Sequence, residues 1–333
     1  MTDSGANGGS PPGLMPRPLA ILLALGAVTT SLAALAADSG QRERVSGDAA
    51  VERAVETVRE RFAGGDAVIT TPFWDRSAWQ RLVGAGPGAE RFPFPALLRS
   101  DRPDPLAILE HDRLWVLGLD GRPPAAPPSV AEAARLVEEV EIDGMTGLAL
   151  YDLEEIRPLR TLTGDFDDLV VRRRPPGAEA KPCPRKGDRH RCGREPWFDV
   201  EIQDRDVYHQ DVSWLFAHPG PGDIALEIDW PKLPAGAWLV LRAGFNQAAV
   251  RHEEGSEVTV TVLFDGVEAG RLNLPPYAYA LERAYYLIPQ GGPGRTARIV
   301  VQAADHDWRQ VMLEGTVLNE VPEVLRRWVD EAP

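Results

Sequence analysis

Apolar and polar positions alternate most regularly between Ser256 and Leu274. Val258, Val260, Val262 and Phe264 are separated by Thr259, Thr261 and Leu263, a period of two that predicts a strand. Asp265-Gly266 follows, a pair suited to the two positive φ angles of a type I′ turn, so the stretch predicts a β-hairpin. With a two-residue turn, Phe264 pairs with Val267 and Val260 meets Arg271, which leaves Leu272 and Leu274 on the wrong face. A bulge at Gly270 restores their register. Similar short runs recur at 198–202, 207–216, 223–230, 237–245, 284–288, 297–303 and 310–318, separated by turn residues. This rhythm predicts a two-sheet β-sandwich over residues 197–320. Trp214, Trp230 and Trp238 fall inside its strands and are expected in its core. A short helix and tail follow over 321–333, with Leu325, Trp328 and Val329 on one face.

The first half follows a different period. Val51, Ala54, Val55, Val58 and Phe62 recur at helical spacing, with Ser46 or Asp48 as cap and Gly64-Gly65 as stop. Strands are expected at Asp66 to Thr71 and Arg113 to Leu119. Helices are expected after Asp75 (ending at Gly84 to Gly88), after Pro105, and from the capping box Ser129-Val130-Ala131-Glu132 to about Glu138. Asp143-Gly144 then predicts another hairpin between Val140-Glu141-Ile142 and Gly147 to Leu153. Helices alternating with apolar strands argue for a small α/β domain over 46–156. Residues 157–196 contain Pro175, Pro176, Pro182 and Pro184 and are expected as a basic, proline-rich linker. Arg172 to Arg194 holds nine Lys/Arg against two acids, and Glu195 to Asp211 holds six acids against one base. The two stretches either attract each other or form two solvated faces.

Leu19 to Ala37 carries no charge, follows Arg17 and ends in Ala34-Leu35-Ala36, which marks an export signal over residues 1–37. The nineteen residues also suffice for an uncleaved anchor. No cysteine follows the apolar run, which excludes a lipoprotein anchor. The chain of 333 residues is 44% apolar and has ordinary globular composition. Its net charge of −14 repels phosphate backbones and anionic lipid, so no nucleic-acid partner is expected. Cys183 and Cys192 are the only cysteines, and in an oxidising compartment they are expected as a disulfide. The alternative, a zinc site with His190, lacks a fourth ligand nearby.

No Gly-x-Ser-x-Gly elbow, His-Glu-x-x-His, phosphate-binding loop or EF-hand loop occurs. No catalytic residue, cofactor or resident metal is therefore assigned. A glycosidase-like carboxylate pair would have to come from acids such as Asp165, Asp167, Asp168, Asp199 or Glu201. Asp199, Glu201, Asp204 and Asp206 are oxygen ligands of the kind calcium takes, though alternate acids also make the wet face of a strand. Asp305-His306-Asp307-Trp308 is an unusual local cluster, suited to a sugar or a metal or simply to a turn. A sugar stacks its apolar face on an aromatic ring and directs its hydroxyls at polar groups, and sandwich loops can hold both. Candidate ligand-binding residues on such loops are Tyr277, Tyr279, Asn246, Arg251, His252, Asp305, His306 and Trp308.

The runs Gly236 to Arg242, Val258 to Gly266 and Ala297 to Gln302 resemble a galactose-binding-like jelly roll, a fold of many extracytoplasmic carbohydrate-binding modules. That resemblance covers about a third of the chain and rests on strand pattern, so it implies fold and carries over no ligand residues. Gly65 to Pro72, with Arg113 to Leu117, is similar to the soluble domains of multi-spanning lipid-linked-sugar glycosyltransferases. The chain departs from those enzymes in lacking their many membrane spans and the catalytic acidic loop between them.

The sequence thus reads as an α+β protein of two domains, a small α/β domain followed by an antiparallel, jelly-roll-like β-sandwich, with an N-terminal signal or anchor helix. Its expected place is extracytoplasmic, periplasmic or secreted, with membrane contact only through residues 19–37 if these remain. The functional expectation is a non-catalytic cell-envelope protein binding glycan or a protein partner through the sandwich. The alternatives are a polysaccharide hydrolase using a carboxylate pair, or a scaffold beside a membrane glycosyltransferase.

Overall fold

The computed structural model describes residues 46–82, 97–98, 103–154, 156–207, 210–252, 255–276, 281–291 and 294–330. The signal or anchor stretch, the Gly84 to Gly88 stop, Tyr277 and Tyr279 lie outside these residues. Among the described residues, no helix is long and apolar enough to cross a membrane.

Chain order begins with helix α1 (Asp48–Arg61), whose Ala50, Val51, Ala54, Val55 and Val58 are buried as the helical period requires. Its N-cap is Gly47, which has no side chain to cap with, and Ser46, an expected cap, lies one residue earlier with its hydroxyl donating to Met145 O at 3.0 Å. Strand β1 (Asp66–Thr71), helix α2 (Arg76–Leu82), the two-residue β2 (Leu97–Leu98), helix α3 (Pro105–Leu109) and β3 (Arg113–Gly118) follow. β1 lies between β2 and β3 and is parallel to both. β4 (Ala134–Asp143) and β5 (Thr146–Leu153) form the hairpin expected around Asp143-Gly144, and β5 extends the sheet antiparallel to β3.

The helix expected from Ser129 to Glu138 is corrected here. A 3-10 helix covers Pro128–Ala133 and β4 begins at Ala134. Pairing with the whole of β5 outweighs the local capping preference. The expected linker is also corrected. Residues 157–196 contain β6 (Arg160–Thr161), β7 (Val170–Arg174), β8 (Lys181–Pro182), β9 (Arg185–Lys186) and β10 (Arg189–His190), distributed over both sheets. Arg172 and Arg174 face Asp229 and Glu227 across the strands, and those acids hold the basic run in a ladder. The basic and acidic stretches do meet farther on, where Arg189 lies 3.5 Å from Glu201. A disulfide joins Cys183 and Cys192 across the β8–β10 loop.

The remaining strands are β11 (Val200–Val207), β12 (Gln210–Ala217), β13 (Ala225–Leu233), β14 (Trp238–Phe245), β15 (Val258–Phe264), β16 (Val267–Leu274), β17 (Leu281–Leu287), β18 (Arg295–Ala303) and β19 (Val311–Leu318). Helix α4 (Gln247–Val250) follows β14, and α5 (Glu323–Asp330) closes the described chain. One face of the sandwich is the sheet β16-β15-β18-β13-β7-β8, and the other contains β17-β14-β19-β12 with β11 on β12. Val258, Val260, Val262 and Phe264 from the first meet Leu239, Leu241, Ala243 and Leu313 from the second in a common core. Of the tryptophans expected in that core, Trp230 lies there, whereas Trp214 is buried in a separate cluster with Val207, Val212, Phe216 and Met312, and Trp238 is half-buried.

The second sheet does not stop at the sandwich. Gln210 of β12 pairs with Leu98 of β2, so the order runs β12-β2-β1-β3-β5-β4 through both halves. The expected division into 46–156 and 197–320 is therefore crossed by one continuous sheet. A buried charge cluster reinforces that junction. Arg242 on β14 reaches Asp104 at 3.3 Å and Glu110 at 2.7 Å, and Arg283 on β17 reaches Asp104 at 2.9 Å. Both acids flank α3, where Asp104 also caps the helix by accepting from Leu106 N.

Candidate functional site

Strand register gathers three loops at one end of the sandwich. Ala217 and Phe245 both lie opposite Val311, so β12 and β14 finish where β19 begins. Ala303 lies opposite Val258, which brings the end of β18 to the start of β15. The segments 218–224, 246–252 with 255–257, and 304–310 therefore share that end, and they contain all of the described candidate residues.

Asn246 is 2% exposed and works inward. Its Oδ1 accepts from Ala249 N at 2.9 Å to cap α4, and its Nδ2 donates to Gln310 Oε1 at 2.6 Å, tying loop to loop. Arg251, Asp305 and Asp307 are exposed, and His252 and His306 are half-buried. The imidazole of His252 stacks on the indole of Trp308 with ring centres 3.6 Å apart and planes 7° apart. Trp308 remains 42% exposed and has φ +57°, a left-handed conformation that a bulky residue adopts only where its surroundings enforce it. Those surroundings are visible. Ser256 Oγ accepts from Asp305 N at 2.9 Å, and Asp305 Oδ1 accepts from Asp307 N at 3.1 Å.

Beneath the loop, Arg309 is fully buried, with its guanidinium over Phe245 and Nη1 donating to Pro276 O at 2.9 Å. Gly255, at φ +91°, runs directly against that guanidinium, and a Cβ there would overlap it. One arginine thus fastens the 309 and 276 backbones together, with Gly255 packed against it. The candidates Tyr277 and Tyr279 begin one residue past Pro276 and lie outside the described residues.

A second ring group supports the loop from the other side. His306 stacks on Phe198 at 6.0 Å and 17°, His218 meets Phe198 edge-on at 5.6 Å, and the two imidazoles are 5.7 Å apart. Arg173 covers Phe198 at 4.4 Å and donates to His218 O at 2.9 Å. Burial pulls the Arg173 guanidinium down to about 10 and the His218 imidazole down to about 4, so His218 is a neutral ring at neutral pH. The His218 Nδ1 contacts Pro219 O at 2.7 Å. Sequence reasoning missed Phe198, His218, Arg173 and Arg309. A signal existed only for His218, which interrupts an apolar run just before Pro219-Gly220.

Among the described residues, Asp305, His306 and Asp307 form the one group of three potential metal ligands within 4.8 Å of one another. The acids weighed as a carboxylate pair are instead matched by bases. Asp165 meets Arg160 at 2.6 Å and accepts from Trp230 Nε1 at 2.8 Å, Asp167 meets Arg185 at 2.5 Å, and Asp168 lies 3.7 Å from Lys232. Asp199 is buried between Arg189 and Arg191, and Glu201 shares Arg189. The remaining acids of the calcium alternative, Asp204 and Asp206, lie along β11. Elsewhere, an open groove of about 650 Å³ contains Asp112, Glu132, Asp152 and Glu154, with Arg135 bridging to Asp152.

The loop end therefore offers a plate of two stacked rings, bordered by exposed carboxylates and a guanidinium. Such a surface stacks on apolar ring faces and exchanges directed hydrogen bonds with hydroxyls.

No protein-family model matches the chain, and no curated protein does. Solved structures similar to it include carbohydrate-binding modules. One is the family 51 module with INT domains of Clostridium perfringens ZmpB, solved with GlcNAc, at 13% identity over 36% of this chain and 26% of that one, TM-score 0.28. Another is the family 51 module of a Clostridium perfringens family 95 glycoside hydrolase with methyl-galactose, at 12% identity over 35% and 79%, TM-score 0.27. A family 61 module with β-1,4-galactotriose matches at 12% identity over 36% and 78%, TM-score 0.23. The match spans about a quarter of the first of these chains. At such TM-scores the likenesses transfer neither residues nor ligand to this protein.

Proposed function

We propose that this is an exported cell-envelope protein that binds a glycan at the loop end of its sandwich and has no reaction centre of its own. The observation that carries this reading is the His252–Trp308 stack, an exposed ring plate held by Ser256, Asp305 and Arg309 and bordered by Arg251, Asp305 and Asp307. The left-handed backbone at Trp308 supports it, because the fold spends conformational energy to place an aromatic ring at the surface. The Cys183–Cys192 disulfide fits an oxidising compartment. Asp165, Asp167 and Asp168, weighed for hydrolysis, each lie against a base.

Calorimetric titration of the wild type with a panel of cell-envelope oligosaccharides tests the proposal. At least one is expected to bind, with Trp308→Ala weakening it about fivefold or more, from about 1–3 kcal/mol of lost stacking. Equal affinity in the variant removes the loop end as the site.

A further inference from the structure

Strand β4 ends the large sheet on one side. Among the described residues it pairs with β5 alone, and Arg135, Leu136, Val137, Glu139 and Glu141 along it are exposed. Between its two bulges the register with β5 is regular from Glu138, opposite Leu150, to Glu141, opposite Gly147. The other edge of those residues therefore turns backbone N–H and C=O groups outward in strand geometry, a template for one more strand. An edge protected against pairing carries charge in place of apolar side chains. Here Leu136 and Val137 stand 50% and 51% exposed.

Charge selects the occupant. Residues 132–154 hold seven acids and one base, Arg135, which is bridged to Asp152. At the start of β4, Ala134 and Arg135 line the open groove of about 650 Å³ together with Glu132, Asp152 and Glu154. That groove shares Glu132, Ala133 and Glu154 with a second one of about 490 Å³, to which Glu320 and Glu323 add acid and Ile156, Leu318 and Val324 add apolar wall. Edge and grooves thus form one acidic track with apolar side chains along it. A second copy of this chain does not fit that track. Antiparallel self-pairing centred anywhere from Glu138 to Glu141 sets an acid opposite an acid, which destabilises the pair. An extended segment alternating basic and apolar side chains complements both the charge and the exposed aliphatic groups.

We infer that the open edge of β4 takes up an extended, Lys/Arg-rich segment of a partner protein as an added strand, whose chain runs on into the acidic grooves. Backbone hydrogen bonds hold the segment, and Glu139 and Glu141 select its charge. This inference is independent of glycan binding.

The test uses the full chain and a dye-labelled decapeptide of alternating lysine and valine, followed by fluorescence anisotropy. A fully N-methylated form of the peptide removes its backbone donors. The expected result is saturable binding to the wild type, no binding of the methylated peptide, and about tenfold weaker binding to the double variant Glu139→Lys with Glu141→Lys. Binding to Glu179→Lys with Asp204→Lys, which changes two exposed acids of the other half and has the same net charge, should equal wild type. Absence of binding, equal weakening in the two double variants, equal binding of the methylated peptide, or a wild-type dimer in sedimentation that the β4 variant dissolves would each overturn it.

Discussion

Two buried groups move stability with pH in opposite directions. The Glu314 carboxyl accepts from Leu162 N at 2.9 Å, Gly315 N at 2.7 Å and Thr163 Oγ1 at 2.6 Å, yet burial raises it to about 7 against these donors and Arg242. The folded protein therefore keeps a proton that the unfolded chain releases above its ordinary 4.5, so this group makes stability fall as pH rises from about 4.5 to about 7. His218 does the reverse. Its folded value near 4 lies below the ordinary 6.5, so stability falls as pH drops from about 6.5 towards 4. His111 and His190, also lowered by burial, act on the same side as His218. Three lowered histidines against one raised carboxyl predict a wild-type stability that rises between pH 5 and 6.5. In Glu314→Gln the opposing contribution is gone, and the rise should steepen by about 1 kcal/mol per pH unit. Urea unfolding at several pH values checks this, and a variant profile parallel to the wild type's would contradict the assignment.

At the scale of elements, the β15–β16 hairpin was legible because its determinants are local. Asp265 and Gly266 take φ values of +50° and +87°, and Phe264 pairs with Val267. Leu263 pairs with Glu268 but Val262 pairs with Gly270, so the bulge occurs with Ala269 as its extra residue, one position before the expected Gly270. Val260 then meets Leu272 and Val258 meets Leu274, which puts both leucines in the core. Gly270 has its own reason to be glycine, since a Cβ there would lie 2.8 Å from Tyr286 Cε1. Gly270→Val is expected to cost about 1–3 kcal/mol through overpacking, read as a lower denaturation midpoint at unchanged slope. A midpoint equal to wild type would show that the ring is free to move aside. Where the determinants are distant, the sequence misled. Ser129-Val130-Ala131-Glu132 has the form of a helix start, but β4 is decided by β5, and Arg172 and Arg174 are organised by acids on β13 more than fifty positions away. The site divides in the same way. Trp308 and Asp305 stood out as neighbours in a turn, whereas Phe198, His218 and Arg173 gain meaning only when three separated segments meet.

Across the whole molecule, the continuous sheet and the charges around Arg242 make the two halves depend on each other. Arg242 is 1% exposed, and its guanidinium is held by Asp104, Glu110 and Thr316 beside Trp214. Asp104→Ala removes a partner from both Arg242 and Arg283 and is expected to cost about 3–5 kcal/mol, in one cooperative transition rather than two. Separate transitions for the halves, seen by calorimetry, would contradict the coupling. This rigid body presents the ring plate at one end of the sandwich, and its service as a glycan platform is the central claim. Affinity electrophoresis of the wild type and Trp308→Ala in native gels cast with cell-envelope polysaccharides tests it most directly. The account predicts that at least one polysaccharide retards the wild type and leaves the variant at its unretarded mobility. Retardation that survives the loss of Trp308, or wild-type mobility unchanged in every gel, would contradict it.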